Sequence, residues 1–432
     1  MNSEDITDLV DVYGSPLYVY ELREVEAAAN TLRRALPRPS TLYYSLKANP
    51  HPLIARALRL AGCHAEISSQ GELTAALVAG FTGAECLYTG PGKTPAEIEN
   101  ALRTGVSRFS VESESDYRRV AAGAMKAGVT AECLLRINAS ELHGASGLRM
   151  TGTASQFGTD SSALRANPEL FDPLPGARVV GMHFFAVSNA RDEKGLLASL
   201  VASIIEAARV HRDSGLPLTY LDLGGGFAAP YATEGELPDY SALREPLESA
   251  LDEHLPGWRT GDIAVAFESG RHLVGTCGRL VCTVSDIKRS RDQTYVVLDT
   301  GINHLGGLSG LGRMLPMRAS VTAVQPEPCL DKVPEGRVDL VGPLCTPADV
   351  LARDAGLSQV GKDGLLTVPN VGAYGLTASL IGFLSRPAAA EVVLDAGEPV
   401  DVSRIELRRV PLAPSLGLRD REPADYRQES KQ

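Results

Sequence analysis

Eight short apolar runs, each followed by a stretch with helical periodicity, occupy residues 40–270 of the chain. We predict strands at 40–48, 64–69, 85–90, 108–113, 131–139, 179–187, 218–226 and 263–270. Between them, apolar residues recur at three- and four-residue spacing, which is typical of helices. Strands that alternate with helices form parallel β-α-β units. Eight such units predict a closed (β/α)8 barrel, a fold that takes about 250 residues. An open doubly wound sheet is the alternative.

The pattern changes after the eighth run. Segments such as GRLVCTVSDIKRS, DQTYVVLDTG and GLLTVPNVGAYG are separated by turn residues rather than by helices, and they predict a mostly antiparallel β-domain. The N-terminal GSPLYVYELREV is typical of a strand that leads into a helix, and we expect this strand to pair with the β-domain. The expected division is a barrel over 23–275, a β-domain formed by 1–22 and 276–415, and a flexible tail over 416–432.

Composition excludes several classes of function. The net charge is -11 and no block of Lys or Arg is present, so we expect no nucleic-acid partner. The seven cysteines are scattered and form no C-x-x-C pair, which argues against a disulfide framework and a metal centre and favours the reducing cytoplasm. From the acidic N-terminus we expect no signal peptide, and no run of 18 uncharged apolar residues is present to span a membrane.

Reactive side chains fall at the predicted strand ends, where barrels gather their chemistry. The stretch TLYYSLKANP places Lys47 at the end of the first strand, Gly225 and Gly226 follow the seventh, and Glu268 and Arg271 close the eighth. Glycine amides and an arginine bind an anion, and a lysine amine bonds to a carbonyl, so this set favours a phosphorylated carbonyl cofactor. The alternatives are a lysine stem that reaches water, a tight glycine turn and a surface ion pair.

Seven motifs then occur in a fixed order: YYSLKAN, EISSQGEL, GPGKT, LDLGGGF, ESGR, GPLCTPAD and GAYG. Over about residues 15–390 the chain resembles the fold-type III pyridoxal-phosphate decarboxylases, which include the diaminopimelate, ornithine and arginine decarboxylases. The resemblance implies pyridoxal 5'-phosphate as cofactor, removal of the α-carboxylate from an L-amino acid, and a homodimer with shared active sites.

The resemblance also implies roles for individual residues. It makes Lys47 the Schiff-base lysine and Cys345 a proton-donating thiol that serves the other subunit's site. It implies that Glu268 pairs with the pyridine nitrogen, that Ser188 lies beside the cofactor, and that the lysine and the ring are supported by Glu66 and Arg136. The phosphate is then held by Gly225, Gly226, Arg271 and Tyr374. A carboxylate opposite the pyridine nitrogen makes the ring a strong electron sink, so Glu268 favours decarboxylation over racemisation. Cys345 as a buried small hydrophobe is the alternative.

Two positions depart from the family pattern. Phe185 stands where many members stack a histidine on the cofactor ring, while His183 lies two residues earlier; Phe185 as a plain core residue is the alternative. Thr346 stands where diaminopimelate and ornithine decarboxylases carry an acid for the distal ammonium of the substrate. A hydroxyl cannot neutralise an ammonium, so a free diamino acid loses an anchor.

The stretches INHLGGLSGLGR, GPLCTPADVLARD and GAYGLTASLIGFLSRP resemble a narrower branch of the family. It contains natural-product decarboxylases of the butirosin type and decarboxylases of citrate-siderophore pathways, which act on amino acids carried on a larger group, including acyl carrier protein thioesters. We expect Asn303, His304 and Arg313 to line the substrate entrance, with His183 and Thr346 nearby; ordinary loop polarity is the alternative. Diaminopimelate decarboxylase, a racemase and an inactive regulatory homologue are the competing functions.

Overall fold

Strands and helices alternate through the first two-thirds of the computed structural model, and strands dominate the rest. The structure describes residues 2–139, 148–149, 155–185, 187–306, 318–324, 337–357 and 360–410. The strands are β1 (Leu17–Glu21), β2 (Thr41–Ser45), β3 (His64–Ile67), β4 (Cys86–Tyr88), β5 (Arg108–Val111), β6 (Ala131–Asn138), β7 (Leu148–Arg149), β8 (Thr159–Asp160), β9 (Ala177–His183), β10 (Val187–Ser188), β11 (Tyr220–Asp222), β12 (Ala264–Ser269), β13 (Gly278–Ser290), β14 (Gln293–Leu298), β15 (Thr322–Ala323), β16 (Arg337–Val341), β17 (Val350–Gly356), β18 (Leu365–Val368), β19 (Ala390–Asp395) and β20 (Glu398–Arg404). The helices are α1 (Ser3–Tyr13), α2 (Leu22–Ala35), α3 (Pro52–Leu60), α4 (Gln70–Val78), α5 (Pro95–Arg103), α6 (Glu114–Ala127), α7 (Ser161–Ala166), α8 (Glu193–Ser214), α9 (Arg244–His254) and α10 (Arg271–Val274).

Eight parallel strands close a ring. Their order is β5-β4-β3-β2-β12-β11-β9-β6, and β6 pairs with β5 to complete the circle. The ring confirms the predicted barrel and excludes an open sheet. Inside it, Tyr43, Leu87, Leu134, Val180, Tyr220 and Ala266 form a small buried cluster, so the barrel is a packed core rather than a pore.

The surrounding helices follow from local sequence signals. In α5, the Thr94 side chain accepts a hydrogen bond from the backbone N–H of Glu97, whose carboxylate accepts one from the backbone N–H of Thr94. This capping box satisfies N–H groups that a helix start leaves free. The apolar face of α5, with Ile98 and Ala101, is buried against the barrel. None of the described helices is long and apolar enough to cross a membrane.

The second sheet is mostly antiparallel, as predicted. Its main order is β17-β16-β14-β13-β1-β19-β20, with β18 on β13 and β15 on β18. The N-terminal strand β1 lies between β13 and β19, antiparallel to the first and parallel to the second. The predicted domain boundaries and the tail stay predictions, and residues 416–432 lie outside the described part of the chain.

The two sheets meet beside Lys47. The backbone N–H of Tyr374 donates to the carbonyl of Ala48 at 2.7 Å, and the Asn49 side chain donates to the carbonyl of Gly372 at 2.9 Å. The Tyr44 hydroxyl donates to the Asn49 carbonyl at 2.6 Å. The KAN segment is therefore fixed by a loop that lies more than 300 residues later in the chain.

Candidate active site

Lys47 lies on a single 3-10 turn, Leu46–Ala48, that follows β2. Its Nζ is 3.1 and 3.3 Å from the two carboxylate oxygens of Glu66, at the end of β3, and its side chain keeps 40% of its surface exposed. Burial of the amine lowers the pKa of Lys47, but the charges of Glu66 and Glu268 outweigh it and raise the pKa overall. Sequence analysis placed Lys47 on the strand itself, and the turn corrects this.

Glu66 is held as a carboxylate. Burial raises its pKa, but the charge of Lys47 and hydrogen bonds from Ser45 and Thr89 lower the pKa of Glu66 to about 2. Thr89, which follows β4, donates a short hydrogen bond to Glu66 Oε1. The amine and the acid therefore form an ion pair at neutral pH in the absence of any ligand.

Glu268 is the acid of β12, and it is fully buried. Its Oε1 has no hydrogen-bond partner among the described residues, although it is 3.3 Å from Nε2 of His183. Burial excludes the surface ion pair that the sequence left open. Glu268 also lines the cavity described below, where a carboxylate can accept a hydrogen bond from a protonated ring nitrogen.

The glycines after β11 leave room for a ligand. Gly224 and Gly226 have φ of +70° and +118°, values that other residues rarely adopt. A Cβ on Gly225 would lie 2.7 Å from the Glu268 carbonyl oxygen, and one on Gly226 would lie 2.9 Å from Cδ1 of Leu196. Close packing on the protein side thus requires glycine at both positions, and both residues line the cavity, where backbone amides suit a phosphate.

One cavity brings most of the predicted cofactor residues together. Its lining contains Ser45, Lys47, Phe185, Ser188, Asn189, Gly225, Gly226, Phe227, Glu268, Ser269, Gly270, Arg271 and Tyr374. The Arg271 guanidinium lies 4.6 Å from the centre of the Tyr374 ring, next to the glycines. An amine at one side, an arginine with open amides at another, and a buried acid without a partner match the aldehyde, phosphate and ring nitrogen of pyridoxal phosphate.

Phe185 lines this cavity, and Arg136 lies behind its ring. The Arg136 guanidinium donates to Glu112 at 3.0 Å and lies over the Phe157 and Phe185 rings, at 4.7 and 5.9 Å from their centres. Lys47 Nζ is 5.5 Å from the Phe185 ring centre. Phe185 therefore faces the cavity rather than the core, and its stacking on the cofactor ring stays a prediction.

Cys345 and Thr346 lie on a loop of the β-domain, outside this cavity. The Cys345 side chain is exposed, so it is not the buried hydrophobe considered above. The loop is fixed by Asp349, which accepts hydrogen bonds from the backbone N–H groups of Ile302 and Leu344 at 2.8 and 2.7 Å. Cys345 is not among the residues that line the cavity with Lys47.

Asn303 and His304, predicted at the substrate entrance, are buried beside this loop. The His304 Nε2 lies 3.0 Å from the Pro387 carbonyl and 3.1 Å from the Asn303 amide nitrogen, while Nδ1 lies 3.2 Å from the Thr300 hydroxyl. Most polar side-chain atoms of these two residues thus have partners within the β-domain, and neither residue is among those that line the cavity. Arg313 lies outside the described residues.

His183 does not line the cavity either. It ends β9 and lies behind Glu268, with its Nδ1 2.7 Å from the hydroxyl of Ser110. Asp222, which ends β11, completes this buried group, and sequence analysis missed it although it stands inside the motif LDLGGGF. Thr89 and Asn189 were also missed, because single hydroxyls and amides after strands carry no distinctive pattern.

Comparisons with known proteins agree with this geometry. The family described as "Pyridoxal-dependent decarboxylase, pyridoxal binding domain" matches residues 22–275. The L-glutamyl-[BtrI acyl-carrier protein] decarboxylase of Niallia circulans is 28% identical over 393 residues, which is 91% of this chain and 92% of that protein. A diaminopimelate decarboxylase of Pseudomonas aeruginosa is 30% identical over 406 residues, which is 93% of this chain and 92% of that protein.

Solved structures share the fold. Diaminopimelate decarboxylase from Helicobacter pylori, complexed with L-lysine, superposes with a TM-score of 0.78 at 24% identity and covers 92% of this chain and 95% of that one. A SrLDC mutant in complex with PLP gives a TM-score of 0.75 at 25% identity and covers 91% of this chain and 95% of that one. With the family match over more than half its length, the chain belongs to the pyridoxal-dependent decarboxylases.

Proposed function

We propose that the protein removes the α-carboxylate of an L-amino-acid moiety that is part of a larger, carrier-linked intermediate of a natural-product or siderophore pathway. The observation that carries the reaction is the single cavity faced by Lys47, Glu268 and the glycines after β11. The substrate class is supported by Thr346 in place of an acid and by the name of the Niallia circulans relative.

Each residue of the cavity has its own role in the proposed reaction. Pyridoxal phosphate, when bound, supplies the ring that accepts the electron pair left by departing CO₂. Lys47 offers its amine to the cofactor's aldehyde, and Arg271 with the amides of Gly225 and Gly226 binds the phosphate. Glu268 holds a proton at the ring nitrogen. The negative charge of this carboxylate distinguishes the site from that of a racemase of the fold. Glu66 keeps the Lys47 amine charged for as long as no ligand separates the two side chains.

The site is completed by a second copy of the chain. Cys345 is exposed on a loop of the β-domain and is absent from the cavity of its own chain, yet the α-carbon needs a proton after CO₂ leaves. We therefore place Cys345 in the partner's site, in a two-fold homodimer whose two sites are each built from both subunits.

Mixing two inactive variants tests this arrangement. Lys47→Ala and Cys345→Ala are each expected to lose most activity, about 10²-fold or more for the thiol as a proton donor. When equal amounts are mixed and allowed to exchange subunits, half of the dimers contain one intact site, so CO₂ release should recover to about a quarter of the wild-type rate.

The control for this experiment mixes Lys47→Ala with Lys47→Arg, a pair that cannot rebuild a site and should stay inactive. If the lysine and the thiol of one chain served the same site, the first mixture would also stay inactive. That outcome would end the shared-site proposal while leaving decarboxylation itself untouched.

A carrier protein would need a basic surface on this acidic chain. Arg386, Arg404, Arg408 and Arg409 line one groove of the β-domain, of about 580 Å³, and Glu406 is the acidic residue in that lining. The Arg386 guanidinium donates to the carbonyl of Pro343 at 3.4 Å, so the groove borders the loop that carries Cys345. Such a local positive charge supports an acidic partner that delivers its cargo beside the thiol.

A substrate panel tests the carrier-linked assignment. Glutamate tethered to an acyl carrier protein, the same residue on pantetheine, and free glutamate, ornithine and diaminopimelate are compared by CO₂ release. We expect kcat/KM to be highest for the carrier-bound form, by at least about tenfold over any free amino acid, because binding the carrier adds contacts that a free amino acid lacks. Turnover of free diaminopimelate alone would show the substrate proposal to be wrong.

Charge reversal in the groove provides the matched control. The double variant Arg404→Glu/Arg409→Glu should lower kcat/KM for the carrier-bound substrate and leave the pantetheine form unchanged. Arg212→Glu, an exposed change on α8, should alter neither. Equal losses for both substrates would mean that the groove affects folding or the site rather than carrier binding.

We also place the protein in the cytoplasm. The cysteines of the described residues are all free, and five of these six are buried. Free thiols at these positions support a reducing compartment.

A further inference from the structure

A buried group of three titratable side chains lies behind the cavity. His183, Asp222 and Glu268 are at most 2% exposed, and one ligand atom of each lies within 4.8 Å of the others. Glu268 lines the cavity, whereas His183 and Asp222 do not. The family reaction as described above uses only Glu268, so the other two side chains need a reason to be there.

Hydrogen bonds fix two of the three from behind. The Ser110 hydroxyl lies 2.7 Å from Nδ1 of His183, and the backbone N–H of Gly224 donates to Oδ1 of Asp222 at 2.8 Å. The atoms that face each other, His183 Nε2, Asp222 Oδ2 and Glu268 Oε1, have no hydrogen-bond partner in the described structure. His183 Nε2 and Glu268 Oε1 are 3.3 Å apart, so a small rotation of either side chain gives a hydrogen bond.

Two buried carboxylates this close cannot both stay ionised without compensation. Burial, with the charge of Glu268, raises the pKa of Asp222 to about 7, so Asp222 keeps a proton below that pH. Burial lowers the pKa of His183, but the charge of Glu268 outweighs it, against the opposing charge of Arg136, and the pKa is raised. The groups that face His183 come from four neighbouring strands: Ser110 on β5, Arg136 on β6, Asp222 on β11 and Glu268 on β12.

We propose that His183 is a positioning residue: its Nε2–H donates to Glu268 and directs that carboxylate at the cavity, while Ser110 fixes the imidazole. This inference rests on the role proposed above for Glu268. The ring nitrogen then meets a carboxylate whose orientation is fixed by a buried imidazole, and this imidazole does not touch the substrate. His183 is thereby assigned to the electronics of the reaction rather than to the substrate entrance.

The first test observes His183 without cofactor. In ¹⁵N-labelled apoprotein, the imidazole resonances assigned by their loss in His183→Asn should keep a proton on Nε2 across neutral pH. The midpoint of the His183 titration should move to lower pH in Glu268→Gln, because the opposing charge is gone, by about one unit or more. An unchanged midpoint, or an Nε2 without hydrogen, would overturn the proposal.

The second test separates positioning from plain packing. His183→Phe removes the N–H that directs Glu268 at the cavity, so kcat should be lower across its pH profile. At neutral pH kcat should fall about tenfold with KM unchanged, the order seen when the partner that orients a ligand is removed. His183→Gln, which keeps an N–H donor, should recover part of the loss, and Ser110→Ala should lower kcat less than His183→Phe. If kcat falls equally in His183→Phe and His183→Gln, His183 only packs against its neighbours and does not position Glu268.

Glu268→Gln distinguishes this inference from the proposed function. If Glu268→Gln is fully active, the role of Glu268 fails, and the inference fails with it. If Glu268→Gln is impaired but His183→Phe has the wild-type kcat profile, only the inference fails. In the Glu268→Gln background, His183→Phe should have no further effect, because neighbours that act through one group are not additive.

The three side chains also have the ligand atoms of a divalent-cation site. Stoichiometric metal in the apoprotein that is lost in His183→Phe would therefore overturn the proposal.

Discussion

Replacing Lys47 with alanine is expected to lower kcat/KM by about 10³-fold or more, the order found when one member of a set of residues that act as a unit is removed. The variant loses the amine that faces the cavity and leaves Glu66 buried with only its hydroxyl partners. Cofactor binding measured by visible absorbance should lose the signal of the covalent form. Added methylamine should restore part of the turnover, because a free amine can occupy the space that the side chain leaves.

Two further variants guard against trivial explanations. Lys47→Arg keeps the positive charge beside Glu66 and should fold as well as the wild type, yet it should be as inactive as Lys47→Ala because a guanidinium is a poor nucleophile. Lys126→Ala removes an exposed lysine of α6 that pairs with Glu99 and should have the wild-type rate. Full activity of Lys47→Arg would remove the central residue of the proposed mechanism.

Much of this site was predictable because barrels concentrate chemistry at strand ends. All eight strands were predicted, but most were extended beyond their observed ends, β2 through Lys47 and β11 through Gly226. After β2, for example, the chain turns because a distant backbone group holds it there. The backbone N–H of Tyr374 donates to the carbonyl of Ala48, a contact that a local sequence pattern cannot show. The apolar period identifies a strand, but it does not say where long-range hydrogen bonds end it.

The residues behind the site were harder to predict for a different reason. Asp222 and His183 stand at strand ends like Glu66 and Glu268, and only the closed register of the barrel brings Asp222, His183 and Glu268 together. Asn303 and His304 are buried because Thr300 and the Pro387 carbonyl supply partners that loop polarity alone does not show, and their place at the substrate entrance stays a prediction. Sequence motifs therefore indicated the reaction better than they indicated the neighbours that tune it.

Replacing Glu268 with glutamine is expected to lower kcat by about 10²–10³-fold, the range for removing one group aimed at the charge that develops in the transition state. Glutamine has nearly the same shape but cannot hold a proton at the ring nitrogen, so the electron sink weakens. Steady-state CO₂ release measures the loss, and KM should change little because Glu268 faces the ring and not the substrate's side chain. Glu132→Gln, at the opposite end of the barrel on β6, should leave kcat unchanged.

Stability should move in the opposite direction to activity. Glu268 Oε1 is buried without a hydrogen-bond partner, and its charge raises the pKa of Asp222, so the folded apoprotein carries a like-charge conflict. An acid whose pKa is raised on folding contributes stability that is fully present below its unfolded pKa of about 4 and is lost as the pH rises through its folded pKa. Glu268→Gln should lower the pKa of Asp222, so the apoprotein's free energy of unfolding should fall less between pH 4 and pH 7 than in the wild type. A variant that is less active and less stable at every pH would instead show that Glu268 serves the fold, and the carboxylate would lose its place in the reaction.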